Sequence, residues 1–117
     1  MRKIVLFLTI AFFTQTIFSQ VFVEDQNINE LDIKYVQLIG VNTSMFGVKI
    51  KVFVDYGQSA KFMKADGIKD VTGKVVKFNS MIHALNFMNQ NGWSFVNYTE
   101  AIFSGKLRYV YLLGKKE

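Results

Sequence analysis

The sequence predicts one α+β domain, in which a single helix packs on one face of a curled antiparallel sheet of about five short strands. Three observations lead to this fold class: five stretches with strand-like composition, one stretch with helical periodicity, and short connections that favour antiparallel pairing of neighbours. The expected order is β-β-β-α-β-β. An OB-like barrel has the same order of elements and is the alternative.

Length and composition restrict the chain to one small domain. The chain has 117 residues, with no cysteine and no proline. Its predicted mature part is too short for a second hydrophobic core. The absence of cysteine excludes disulfides, thiolate catalysis, cysteine-ligated zinc and a lipoprotein anchor.

The first nineteen residues have the organisation of a signal peptide. Arg2 and Lys3 precede an apolar run over residues 4–13, and a small residue, Ser19, precedes the expected new N-terminus, Gln20. A membrane anchor would need about 20 continuous apolar residues. We therefore expect cleavage after Ser19, export to the periplasm or the medium, and no stable membrane span after cleavage.

The net charge of the mature chain is modest. Arg2 and Lys3 supply two of the five net positive charges, so their removal leaves +3. A charge of this size does not indicate nucleic acid as a partner.

The mature chain begins with a polar stretch, residues 20–30, for which we expect a mobile leader. The single α+β domain then covers residues 31–117. Its first strand is predicted at 31–41. The second strand, at 48–56, shows the clearest period-two alternation, which indicates one face on the core and one in water.

The second half of the domain holds the remaining elements. A short strand is predicted at 74–78, and Asn79 or Ser80 is expected to cap a helix. Met81, Ala84, Leu85 and Met88 share one face of that helix, and Gly92 ends it. The last two strands are expected at 93–103 and 107–113, and the first and last strands of the domain have apolar residues on two faces.

Five short blocks carry a resemblance to known proteins: 54–58 (VDYGQ), 77–81 (KFNSM), 84–88 (ALNFM), 91–96 (NGWSFV) and 111–113 (YLL). Over roughly residues 33–117 the chain resembles small uncharacterised exported proteins of Bacteroides-type bacteria. The helix–Gly-Trp–strand block is also similar to a widespread small domain of unknown function. The resemblance implies export and an α+β fold, and it implies no catalytic residue.

No arrangement of residues predicts an enzyme, a cofactor or a metal site. His83 is the only histidine, and no carboxylate or nucleophile lies near it in the sequence. Asp66, Gly67 and Asp70 lack the regular spacing of a calcium loop and are typical of a turn. We therefore predict no catalytic residue.

Basic and aromatic residues form a candidate ligand-binding row. Lys49, Lys51 and Phe53 lie on the outer face of the second strand, and such a face stacks sugar rings or bases in some proteins. Trp93 either joins this site as a platform or closes the core between helix and sheet. The last two strands would extend the row with Tyr98, Arg108, Tyr109 and Tyr111.

A binding role follows from the sheet face that one helix cannot cover. Phe53 on that face and Phe87 at the edge of the helix stripe are the candidate interface residues. We expect an exported interaction domain that engages an unknown protein or envelope component, or a second copy of itself. The alternative is a carbohydrate- or oligonucleotide-binding module that uses Lys49, Lys51, Phe53 and Trp93.

Overall fold

The computed structural model describes residues 19–43, 50–59 and 67–117. The predicted signal segment up to residue 18 lies outside the described residues, as do residues 44–49 and 60–66. The described elements are β1 Phe22–Val23, β2 Gln26–Asn27, β3 Tyr35–Asn42, β4 Ile50–Asp55, β5 Ile68–Lys69, α1 Met81–Gln90, β6 Trp93–Phe103 and β7 Lys106–Lys115.

The strands form two antiparallel sheets, which confirms the α+β class. The larger sheet has the order β4-β3-β7-β6, and the smaller one has the order β2-β1-β5. The prediction of one five-stranded sheet is therefore wrong in detail. The described strands also do not close into a barrel, so the OB-like alternative is not found.

Helix α1 lies on one face of the larger sheet, and its predicted limits are confirmed. Its N-cap is Ser80, whose Oγ accepts a hydrogen bond from the His83 N–H at 3.1 Å. Gly92, just beyond the C-cap, has a φ of +91°, a conformation that glycine adopts without a Cβ penalty. None of the described helices is long and apolar enough to cross a membrane.

The core lies between α1 and the sheet. Met81, Ala84 and Met88 on the helix are buried against Val36 and Leu38 of β3, as the helical periodicity predicts. The alternation of β4 is found only in part, because Phe53 on the face opposite α1 is buried as well, in place of the predicted contact with water. Its core-facing side contains Val52 and Val54, which belong to the same buried cluster.

Residues 20–30 require a correction, because they form part of the core instead of a mobile leader. Val21, Val23 and Ile28 are at most 1% exposed and pack in the main cluster. β1 pairs with both β2 and β5. Burial of these three apolar side chains outweighs the local signal of a polar, turn-rich stretch.

The short strand predicted at 74–78 is also corrected. Only Val75 makes a bridge there, to Lys69 of β5. The strand lies instead at Ile68–Lys69, within a stretch whose sequence indicates irregular structure. A two-residue strand depends on the neighbours that it pairs with, and these are distant in the sequence.

Candidate functional site

The predicted ligand-binding row does not assemble. Lys51 and Phe53 do lie together on the sheet face opposite α1, with Lys51 Nζ 5.7 Å from the centroid of the Phe53 ring. Phe53 is only 3% exposed, however, in a second buried cluster with Ile39 and Val41. Lys49 lies outside the described residues. Phe53 therefore offers little surface to a ligand.

Trp93 belongs to the core on the other side of the sheet. Its side chain is fully buried in the cluster that also contains Met88 and Leu113. This position matches the interpretation of Trp93 as a core residue and excludes an exposed platform. Since Lys51 and Trp93 lie on opposite faces of the sheet, they cannot contact one small ligand.

The two predicted interface residues are also packed against other residues of the chain, Phe53 fully and Phe87 in part. Phe87 packs against the core, and its ring meets the Phe78 ring edge to face at 5.4 Å between centroids. Phe53 is buried as described above. Phe53 therefore offers little surface to a partner, whereas Phe87 keeps part of its side chain at the surface.

His83 has a structural role at the start of α1. Its Nδ1 accepts a hydrogen bond from the Asn79 N–H at 3.0 Å, and its ring lies edge-on to Phe78. Asp70 has a comparable role in a turn, where its carboxylate accepts hydrogen bonds from the N–H groups of Thr72 and Lys74. The side-chain hydrogen bond from Thr72 is the main cause that lowers the pKa of Asp70. In the part of the chain that the structure describes, no group of three or more His, Asp or Glu could hold a metal ion.

The exposed apolar surface of the described residues is concentrated on the hairpin of β6 and β7. The other exposed large apolar side chains are distributed over α1, β3 and the loops. Six of the ten exposed large hydrophobic residues belong to it: Phe95, Val96, Tyr98, Ile102, Phe103 and Leu107. Such a concentration is typical of a contact surface.

Local sequence explains the length of this hairpin. Ser104 and Gly105 both have positive φ, +52° and +73°, which is the two-residue turn that matches the twist of paired strands. A bulge between Phe95 and Asn97 interrupts the pairing near its base. The pairing of β7 with β3 covers residues 108–114 of β7. Residues 102–107 of the hairpin therefore lie beyond the part that β3 pairs with.

One side of β6 faces away from β7, and we call this side the open edge. No described strand pairs with it. Natural proteins protect such edges with proline, lysine or short strands. β6 has eleven residues with no proline and no lysine, and its single charged residue is Glu100. The Tyr98 N–H of this strand donates a hydrogen bond to Oδ1 of Asn97 at 2.7 Å, and among the described residues no strand takes up the other groups of the open edge.

Glu100 is engaged with a tyrosine of the same strand. The Tyr98 hydroxyl donates a hydrogen bond to Glu100 Oε1 at 2.7 Å. Desolvation first, and then this hydrogen bond and the charge of Glu100, raise the pKa of Tyr98 to about 12. At neutral pH the Tyr98 phenol is thus protonated and can donate this hydrogen bond.

A cleft of about 300 Å³ lies beside this pair on the α1 face. Three tyrosines line it, and the start of the helix closes it with Asn79 and Ser80. The rings of Tyr98 and Tyr111 are 4.6 Å apart between centroids and inclined at 45°. The third ring is Tyr109. These tyrosines were expected to extend the row of Lys51, but the pleat places them on the opposite face.

Comparison of the chain with protein-family models, curated proteins and solved structures finds no match. The candidate site therefore depends on the geometry alone.

The sequence contains a signal for the open edge that our site prediction did not use. Residues 93–103 have apolar side chains on both faces and lack the residues that protect an edge. The missing information was that β6 is the outermost strand. That position follows from the pairing of β3 with β7, which no local pattern reveals.

Proposed function

We propose that the protein is an exported interaction domain that binds another polypeptide strand along the open edge of β6. The observation that carries this proposal is an eleven-residue outer strand with one charge and with exposed Phe95, Ile102 and Phe103. Strand addition to such an edge satisfies backbone N–H and C=O groups, while side chains on the two faces supply specificity.

The position of the first buried residue supports the proposal of cleavage and export. Val21 is the first buried apolar residue of the described chain, and it lies just beyond the predicted cleavage after Ser19. Removal of residues 1–19 therefore leaves the whole described core in place. The resemblance to exported proteins of Bacteroides-type bacteria agrees with this location.

Binding is also a better proposal than catalysis. The single histidine of the chain is used at the start of α1, where its Nδ1 accepts a backbone hydrogen bond. Asp70 is committed to its turn. These local hydrogen bonds favour a structural role for both residues over acid–base catalysis.

A charge placed on the open edge tests the proposal. Ile102 is 77% exposed on β6, and Ile82 is 58% exposed on α1, so they form a matched pair. We expect Ile102→Lys to abolish association, measured by light scattering and by binding to immobilised wild-type protein or envelope extract. Ile82→Lys should associate like the wild type. Association that survives Ile102→Lys would contradict the proposal.

A second candidate function is carbohydrate binding in the tyrosine-lined cleft. Its neutral lining of tyrosine, asparagine and serine favours a sugar over an oligonucleotide, because Lys51 and Arg108 lie on the other face. A glycan array provides the test. Tyr109→Ala should lose any bound glycan, whereas Tyr35→Ala, at an exposed tyrosine outside the cleft, should retain it.

A further inference from the structure

We infer that the strand bound at the open edge is β6 of a second copy, paired antiparallel about a two-fold axis at Thr99. This inference rests on the proposed function, because it names the partner of the same edge. The pairing would join two four-stranded sheets into one sheet of eight strands, with both helices on the same face.

Geometry limits the registers that such a dimer can adopt. A two-fold axis between antiparallel neighbours runs perpendicular to the sheet, so it passes between one residue and the same residue of the second copy. An axis that passed between two different residues would pair each side chain with one on the opposite face of the sheet. The bulge at Phe95–Asn97 and the turn at Ser104 limit regular pairing to residues 97–103, and only an axis at Thr99, Glu100 or Ala101 pairs five or more of these residues.

Glu100 is the single charged residue of β6, and its neighbour across the axis differs between these registers. A centre at Glu100 would place two carboxylates opposite each other, which is repulsive. A centre at Ala101 would place the carboxylate opposite Ile102. A centre at Thr99 instead places Glu100 opposite Tyr98 of the second copy, whose hydroxyl already serves as its donor within the chain.

The other pairs in the Thr99 register are also compatible. Thr99 faces its own copy at the axis, and threonine pairs are favourable across antiparallel strands. Asn97 faces Ala101, so two small side chains meet on the face opposite α1. Tyr98 and Glu100 of both copies meet on the α1 face, beside the cleft. Thus each side chain from 97 to 101 has a suitable neighbour.

Cross-linking of single cysteines tests the partner and the register together. The natural chain has no cysteine, so each introduced thiol is unique. A disulfide needs Cα atoms about 4.4–6.8 Å apart. In the proposed register only residue 99 meets itself, whereas residues 97 and 101 are each more than about 10 Å from their own copies. The variants are Asn97→Cys, Thr99→Cys, Ala101→Cys and, as a control on α1, Ile82→Cys.

The protein should be purified from cells that express the full chain and then treated with a mild oxidant. We expect Thr99→Cys to form a covalent dimer at least about tenfold more than Ile82→Cys. Asn97→Cys and Ala101→Cys should each stay monomeric on denaturing gels when alone and should cross-link when mixed. This mixed pair also supports the register independently if Thr99→Cys folds poorly.

Other outcomes would overturn the inference in distinguishable ways. Self-linking at Ala101→Cys, with none at Thr99→Cys, would show the wrong register. If the three β6 variants, including the mixed pair, cross-linked no more than Ile82→Cys while Ile102→Lys still lost an envelope partner, the occupant would be another protein. The proposed function would then stand and the second-copy inference would fail. A monomer that binds no partner would reject both.

Discussion

Gly40 marks the closest approach between the sheet and α1. A Cβ at this position would overlap Sδ of Met81, which is itself buried. The residue is therefore glycine because the helix start occupies the space of a side chain. Close packing of this kind leaves little freedom to adjust.

The first prediction concerns this contact. Gly40→Val should lower the free energy of unfolding by about 1–3 kcal/mol, because the added atoms overpack the core. Denaturant unfolding measures the change. Met81→Ala opens the same space, so the double variant should be more stable than the sum of the two single effects predicts. Strict additivity would show that the two residues do not compete for space.

Tyr98 gives a second prediction at the scale of one residue. Its folded-state pKa of about 12 lies above the usual value of 10.0. The protonated phenol is thus favoured in the folded state. Its contribution to stability is complete below pH 10 and is lost as the pH rises from 10 to about 12.

Tyrosinate absorbance and unfolding measurements test this shift. The difference titration between wild type and Tyr98→Phe should show half-ionisation near pH 12. The stability advantage of the wild type over Tyr98→Phe should shrink across the same pH window. Ionisation near pH 10 would mean that neither the desolvation of the Tyr98 hydroxyl nor its hydrogen bond to Glu100 is maintained in solution.

Elements with strong local patterns were predictable, and elements defined by distant partners were not. The limits of α1 follow from its cap, its apolar stripe and Gly92, and β6 begins and ends where its composition indicates. β1 and β5 have two residues each and exist because they pair with one another. Their residues carry no local pattern long enough to identify a strand.

The segment containing β1 and β2 provides the prediction at the scale of an element. Asn29 fastens this segment through two hydrogen bonds: its Oδ1 accepts from the Val21 N–H at 2.9 Å, and its Nδ2 donates to the Asn91 carbonyl at 2.7 Å. Lys115 Nζ donates to the carbonyl of Leu31 at 2.6 Å. The segment therefore joins the helix end to β7.

Truncation of one buried side chain in that segment should destabilise the whole domain. We expect Ile28→Ala to lower the free energy of unfolding by about 2–5 kcal/mol, as for other fully buried positions. The matched control is Ile82→Ala on the exposed face of α1, for which we expect a change within about 0.5 kcal/mol. Equal stability of the two variants would restore the idea of a mobile leader.

At the scale of the whole molecule, the order β4-β3-β7-β6 decides which surfaces are available. In this order β7 pairs with a strand on each side, β3 and β6, whereas β6 is at the end of the described sheet. Lys51 and Phe53 share one face of β4, as the sequence pattern predicts, yet Phe53 is buried there. Strand order arises from contacts between distant parts of the chain, so the sequence patterns could not identify the open edge.

The last prediction concerns the maturation of the molecule. We propose that cleavage after Ser19 releases a chain beginning at Gln20, which retains every described core residue from Val21 onward. Intact-mass measurement of the exported protein should give the mass of residues 20–117. Ser19→Arg should block cleavage because the position before the cut needs a small side chain, whereas Gln26→Arg, exposed on β2, should be processed normally. A mature chain that begins after Val21 would contradict the proposal, because it would lack part of the buried cluster to which Val21 belongs.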